Sequence, residues 1–207
     1  MSVDVDNENL FKEILEKGIN IFLGEGFSVL PYKGESLPTS DELCEEVRKK
    51  FNIPDDLGND LSLLSIFAPK DEYQNFLRER FTVDGCNELY ICINNINLKS
   101  IITTNIDNLP YLIIRKKNKY YLNSITYYGA SKSIQPSVDF IPLHGEVTNI
   151  LYPVFFEKFD LSLAENINRE LFVEMGERLL KFPTLFWGYD FDDHGVVKSI
   201  ARVLNKK

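Results

Sequence analysis

Two polar segments of this chain carry residue types that can hold a sugar and move a proton. Asn105 and Asp107 stand two residues apart after a β-branched run, and His144 follows an apolar run. An amide can fix a ribose or a water, a carboxylate can accept hydrogen bonds from ribose hydroxyls, and imidazole exchanges protons near neutral pH. Because the chain has only two histidines, an imidazole base must be His144 or His194. An Asn-x-Asp sequence is also common in turns and helix caps, and a lone histidine is often structural.

Two glycine turns follow other apolar runs. The first is Gly24-Glu25-Gly26-Phe27-Ser28, and the second is Gly188-Tyr189-Asp190. A strand that turns through glycines lets backbone N–H groups approach a pyrophosphate, although a plain tight turn is the alternative. The second turn equally fits the cap of a final helix. Val29 stands where the G-x-G-x-x-G pattern has its third glycine, so a hydride-transferring Rossmann enzyme is disfavoured.

The elements that position these turns alternate between strand and helix. Predicted strands are 19–23, 99–104, 124–128, 139–143 and 184–187, with 150–155 as a further candidate. Predicted helices are 8–17, 38–51, 163–182 and 196–204. The pattern predicts an α/β fold in one domain over 1–207, with a Rossmann-like, mostly parallel sheet, helices on both faces and a small helical insertion at about 55–97. The ligand of such a sheet lies in the crevice at the carboxyl ends of its strands.

Composition excludes several classes of protein. The net charge of −8 over 207 residues argues against sequence-independent binding of nucleic acid, and the basic run 115–119 is interpreted as a solvated loop. Three cysteines without a CxxC pair fit reduced thiols. The acidic, polar start is no signal peptide, and no apolar run is long enough to cross a bilayer. We therefore expect a soluble, cytoplasmic protein that binds neither nucleic acid nor membrane.

Taken in order from about Ile19 to Val197, these motifs resemble the sirtuin-like superfamily. The order is a Gly-x-Gly-Phe-Ser turn, Leu-Pro-Thr before a helix, Thr-Thr-Asn-Ile-Asp, Leu-His-Gly and a late Gly-Tyr. The chain looks closest to the zinc-less bacterial branch found in anti-phage defence systems. That resemblance implies an NAD site formed by the phosphate loop (Gly24, Gly26, Phe27, Ser28), the ribose and water residues (Thr104, Asn105, Asp107), the catalytic His144, and Gly188 and Tyr189 under the adenosine half.

Two departures from the family bear on activity. The protein-deacetylase branch holds structural zinc with two CxxC pairs, which this chain lacks, so peptide deacetylation is disfavoured and no metal is expected. Glu25 stands where the family has a small alanine. A carboxylate about 4 Å from a pyrophosphate charge costs roughly 4 kcal/mol at an effective dielectric constant of 20. Either this side chain points away, or a partner rearranges it, or NAD binds poorly.

Three functions follow from the resemblance. The first is an NAD glycohydrolase with Asn105 and His144 as catalytic residues, which depletes NAD in an infected cell. Such an activity must be switched, which implies a separate sensor or activator protein, or activated self-assembly. The second is a non-catalytic nucleotide-binding or assembly module disabled by Glu25. The third is a zinc-independent deacylase or ADP-ribosyl transferase.

Overall fold

The apolar run Ile19–Leu23 forms the strand around which the chain is organised. In the computed structural model, which describes residues 7–117, 119–125, 136–149, 154, 169–191 and 194–204, this strand (β1) has a parallel neighbour on each side. The other strands are β2 (Leu98–Thr103), β3 (Tyr121–Ser124), β4 (Ser137–Pro142) and β5 (Thr184–Trp187). The five described strands form one all-parallel sheet in the order β3-β4-β2-β1-β5, which confirms the predicted α/β, Rossmann-like class.

Helices cover both faces of this sheet. Their bounds are α1 (Glu8–Lys17), α2 (Ser40–Phe51), α3 (Leu61–Phe67), α4 (Lys70–Phe81), α5 (Leu109–Arg115), α6 (Arg169–Lys181) and α7 (His194–Leu204). Successive side chains of a strand point to opposite faces. Ile21 accordingly packs in one buried cluster with Leu77 of α4, and Phe22 packs in a second cluster with Met175 of α6 and Val196 of α7. All of β1 is therefore buried, including Asn20, the one polar residue in this otherwise apolar strand.

Helix α2 begins where local chemistry dictates. The hydroxyl of Thr39 accepts a hydrogen bond from the Glu42 N–H, and the Glu42 carboxylate accepts one from the Thr39 N–H at 2.8 Å. This reciprocal pair satisfies two backbone donors that the first turn of a helix leaves open. The helix ends at Asn52, which adopts the left-handed conformation with φ +54°. The predicted start after a hydroxyl cap and the predicted end near Phe51 are both confirmed.

The segment 55–97 contains helices and no strand. Between α2 and β2 it forms α3, α4 and two 3-10 helices, Asp55–Leu57 and Glu88–Asn95. Leu64, Leu77 and Tyr90 of this segment join the same buried cluster as Ile21 of β1. The segment therefore packs on one face of the sheet and has no core separate from it.

Two predicted boundaries differ from the structure or lie outside it. Strand β3 is Tyr121–Ser124, so the prediction of 124–128 began the strand where it ends, and residues 126–128 lie outside the described part of the chain. The error has a physical reason, because β3 is an edge strand whose residues are exposed or half-buried and give no apolar run. Of the further candidate strand 150–155 only Val154 is described, and the helix predicted over 163–182 is described from Arg169.

No helix of the described residues is both long enough and apolar enough to cross a bilayer.

Candidate functional site

Sheet topology brings the turns of interest to one edge. In a parallel sheet the carboxyl ends of all strands lie on the same side, so the turns after β1, β2, β4 and β5 share one edge. Strand β1 lies between β2 and β5, and the chain builds the sheet on one side of β1 before β5 is added on the other. Ligands of open α/β sheets bind where the strand order reverses in this way.

A cavity of about 500 Å³ opens at this edge. Six of the predicted site residues line it, namely Ser28, Thr104, Asn105, Asp107, His144 and Tyr189. The four others, Gly24, Gly26, Phe27 and Gly188, are absent from its described lining. The cavity walls are completed by apolar side chains from the β1–α2 loop and the helical segment, among them Leu37, Leu61 and Phe81.

The glycines of the two turns are explained by contact with each other. A Cβ atom on Gly24 would lie 2.5 Å from the carbonyl oxygen of Gly188, and one on Gly26 would lie 3.0 Å from the Gly188 Cα. Gly188 has φ +67°, and its own Cβ would lie 2.1 Å from the backbone nitrogen of Phe27. The absence of side chains therefore lets the turn after β1 pack directly on the turn after β5.

Most amide groups of the first turn are already engaged. Four of its five N–H groups donate to backbone carbonyls at 2.9–3.1 Å: Gly24 to Trp187, Gly26 to Gly188, Phe27 to Gly24 and Ser28 to Glu25. Residues Glu25–Phe27 form a single 3-10 turn, too short to act as a helix N-terminus for an anion. A pyrophosphate bound here would need donors other than these four amides.

Asn105, Ser28 and Asp107 form a directed chain of hydrogen bonds. The Asn105 amide nitrogen donates to the Gly24 carbonyl and to the Ser28 hydroxyl, each at 2.8 Å. Because a carbonyl can only accept, the nitrogen of this amide must face Gly24. The Ser28 hydroxyl then donates to the Asp107 carboxylate at 2.7 Å. Both hydrogens of the Asn105 amide are used in this way, which leaves its carbonyl oxygen to accept a hydrogen bond from a ligand.

Asp107 is held inside the wall of the cavity. It is 3% exposed, and its second carboxylate oxygen accepts a hydrogen bond from the Leu109 N–H at 2.9 Å, at the start of α5. Burial raises the pKa of this carboxyl, while the hydrogen bonds from Ser28 and Leu109 oppose that rise. Asp107 therefore orients Ser28 and begins a helix, which is the turn-and-cap role that Asn-x-Asp often has, and each of its oxygens already has a partner.

His144 lies in a turn that is tied to the Asn105 turn. The Leu143 N–H donates to the Thr103 carbonyl at 2.8 Å, and the Val147 N–H donates to the Ile106 carbonyl at 2.9 Å. The backbone of both turns is thus fixed on either side of His144, whose side chain is half-buried at the cavity. The other histidine, His194, is the first residue of α7.

The Glu25 side chain reaches helix α2 along the lining of the cavity. Its carboxylate accepts a hydrogen bond from the hydroxyl of Ser40, the first residue of that helix. A carboxylate is stabilised at this position by the positive end of the helix dipole. Glu25 and Ser40 both line the cavity, together with the carboxylates of Asp41, Asp107 and Asp190. The described lining contains no lysine and no arginine.

The structure identifies the fold class and a cavity, and comparison with known proteins assigns no family. No protein-family model and no curated protein matches this chain. The function is therefore argued from the side chains that surround the cavity.

Tyr90 is a residue of the site's framework that the sequence does not reveal. It is fully buried, its hydroxyl donates to the Phe27 carbonyl, and the same hydroxyl accepts a hydrogen bond from the Leu30 N–H at 3.2 Å. Its ring packs on that of Phe27 at a centroid distance of 4.6 Å. Tyr90 thus holds the backbone on both sides of Ser28, although 63 residues separate it from Phe27. A tyrosine within a helical pattern gives no signal of this contact.

Proposed function

We propose that the chain hydrolyses the bond between nicotinamide and ribose in NAD, giving nicotinamide and ADP-ribose. The observation that carries the proposal is the presence of Asn105 and His144 at one cavity, at the edge of the sheet where the strand order reverses. The Asn105 carbonyl oxygen is available as an acceptor, because the rest of its amide is bound to Gly24 and Ser28.

The reaction suits these groups. Water attacks C1′ of the nicotinamide ribose, the C–N bond breaks, and its electron pair neutralises the pyridinium ring of the leaving nicotinamide. No proton has to be supplied to the leaving group, so a general acid is unnecessary. A proton must leave the attacking water, and in this proposal His144, which lines the same cavity, accepts it. In this proposal Asn105 holds a ribose hydroxyl or the water in position, which is worth about 10²-fold or more in rate.

The proposed activity belongs to a switched effector of the sirtuin-like, zinc-less bacterial class, acting in the cytoplasm in defence against phage. Free NAD hydrolysis would harm the cell that makes the protein. A separate sensor or activator protein, or activated self-assembly, is therefore part of the proposal.

One observation favours a second candidate, the non-catalytic binding or assembly module. The Glu25 carboxylate accepts a hydrogen bond from Ser40 in the cavity lining, and the four carboxylates of the described lining repel a pyrophosphate. The contact between Glu25 and Ser40 would explain why the chain fails to bind NAD, should that be observed. A deacylase or ADP-ribosyl transferase has no such supporting observation.

The test is breakdown of NAD by the purified chain, alone and with the proteins encoded beside it. We expect His144→Ala and Asn105→Ala each to lower turnover about 10²-fold or more. Asn97→Ala is a matched control, because Asn97 precedes β2 and so lies at the opposite end of the strand that Asn105 follows. Full turnover in both site variants would refute the assignment of the site. A folded chain that neither cleaves nor binds NAD would favour the non-catalytic module.

A further inference from the structure

Apart from the N-terminus of α2, the described lining of the cavity has few of the groups that usually bind a phosphate. Proteins bind phosphate with free backbone N–H groups, often at a helix N-terminus, and with lysine or arginine. Four amides of the turn after β1 are engaged with carbonyls, and the described lining holds no lysine or arginine. The glycines of that turn are accounted for by contact with Gly188 and Tyr189.

The nearest helix N-terminus is already occupied by acidic groups of the chain itself. Helix α2 begins at Ser40, whose hydroxyl donates to Glu25. Asp41 and Glu42 lie in the first turn of the same helix, and the Glu42 N–H already donates a hydrogen bond to the Thr39 hydroxyl. A phosphate at this end of α2 would therefore meet three carboxylates, and Glu25 is the one that comes from outside the helix.

The negative charge of the lining carboxylates determines which part of NAD the cavity favours. A volume of 500 Å³ corresponds to a width of about 8 Å, so any phosphate inside it lies within roughly that distance of the lining carboxylates. The pyridinium ring of NAD is cationic and is attracted by the same groups. The lining therefore suits a pyridinium riboside and disfavours the diphosphate that NAD carries in addition.

We propose that the site prefers pyridinium ribosides without phosphate over NAD, and that Glu25 is the residue that enforces this preference through its contact with Ser40. The inference rests on the proposed function, cleavage of the nicotinamide–ribose bond. It names the substrate class of that site and gives the Glu25–Ser40 contact a role in selecting it. Removing the charge of Glu25 shifts the preference towards NAD.

The experiment compares nicotinamide riboside and NAD as substrates for the full chain and for Glu25→Gln. The glutamine keeps an oxygen that can accept from Ser40 but removes the charge, so the fold of the turn is preserved. Glu45→Gln is the matched control, because Glu45 is an exposed carboxylate on the same helix outside the described lining of the cavity.

For the wild-type chain we expect a higher kcat/KM with the riboside than with NAD. Glu25→Gln should raise kcat/KM for NAD relative to kcat/KM for the riboside about tenfold, the effect of one unit charge on the diphosphate at roughly 8 Å in a partly solvated cavity. The lost attraction for the pyridinium ring affects both compounds and so does not enter this ratio. Added salt should narrow the wild-type difference, and Glu45→Gln should behave as the wild type. Equal or better use of NAD by the wild-type chain, or an unchanged substrate ratio in Glu25→Gln, would overturn the inference.

Failure of the proposed function gives a different result. In that case neither compound is cleaved by any variant, and the preference is decided by binding of the intact compounds measured by calorimetry. Tighter binding of the riboside than of NAD, with NAD tightened in Glu25→Gln, supports the selectivity even without hydrolysis. Tighter binding of NAD to the wild-type chain, or an unchanged ratio of affinities in Glu25→Gln, would overturn it.

Discussion

The contact between the two glycine turns leads to a prediction with a built-in control. In Gly188→Ala the new Cβ would lie 2.1 Å from the Phe27 nitrogen and 2.3 Å from the Gly26 carbonyl carbon. Both are backbone atoms, which cannot move aside as a flexible side chain can. Gly188 also has φ +67°, where an L-residue is strained. Gly34 provides the control, because it has φ +87° and no atom lies within 4 Å of the Cβ position.

The two substitutions separate strain from collision. Left-handed backbone costs an alanine about 1–2 kcal/mol, and this cost applies to both positions. Overpacking adds about 1–3 kcal/mol where the surroundings must shift, and it applies only to Gly188. We therefore expect the free energy of unfolding to fall by about 1 kcal/mol in Gly34→Ala and by about 3 kcal/mol or more in Gly188→Ala.

The assay is urea denaturation of the two variants and the wild-type chain, followed by far-UV circular dichroism and by tryptophan fluorescence. The only tryptophan, Trp187, directly precedes the affected turn and packs edge-on against Phe27 at 5.1 Å between ring centroids. Equal losses of stability in the two variants would refute the argument that these glycines serve turn-to-turn packing. That result would favour the alternative interpretation, in which the glycines let a ligand approach the backbone.

Two further predictions concern buried polar groups of the site. Burial raises the Asp107 pKa, so its ionisation opposes folding. The free energy of unfolding of the wild-type chain should therefore fall relative to that of Asp107→Asn as pH rises from about 4 through the raised pKa. Urea unfolding over pH 4–7 measures this, and a rise of wild-type stability relative to the variant with increasing pH would contradict it. Tyr90→Phe leaves the Phe27 carbonyl and the Leu30 N–H without their partner and should lower the free energy of unfolding by about 1–3 kcal/mol. Tyr121→Phe, at an exposed position, should change it by less than about 0.5 kcal/mol, and equal effects of the two would show that the buried contact adds nothing.

Local sequence was sufficient for the elements whose causes are local. Helix α2 is predicted to within two residues because Thr39 and Glu42 cap its first turn. Strand β1 is predicted to the residue because a fully buried parallel strand is a mostly apolar run, here one that contains a single polar residue, Asn20, and lies between two glycines. Strand β3 is displaced because an edge strand needs no such run, and its register is set by pairing with β4, from Tyr121 opposite Ser137 to Ser124 opposite Phe140.

The site was predictable at the level of which turns meet and not at the level of what each group does there. The parallel sheet alone places Asn105 and His144 at one edge. The contacts of Asp107 with Ser28, 79 positions away, arise only in the folded chain. The same is true of Glu25, whose carboxylate finds its partner on a helix that begins 15 residues later. Long-range hydrogen bonds of this kind have no pattern in a single sequence.

A Gly-x-Gly turn after a strand has two physical explanations, and the partners of its amides distinguish them. If the glycines exist for a ligand, the N–H groups should point into open space at the crevice. If they exist for packing, the N–H groups should be bound and a Cβ should meet protein atoms. In this chain Gly26 satisfies the second description on both counts, since its N–H donates to Gly188 and its Cβ would contact the same residue. Binding at the cavity must then depend on side chains, chiefly the Asn105 carbonyl, His144 and the carboxylate of Glu25, which all line it.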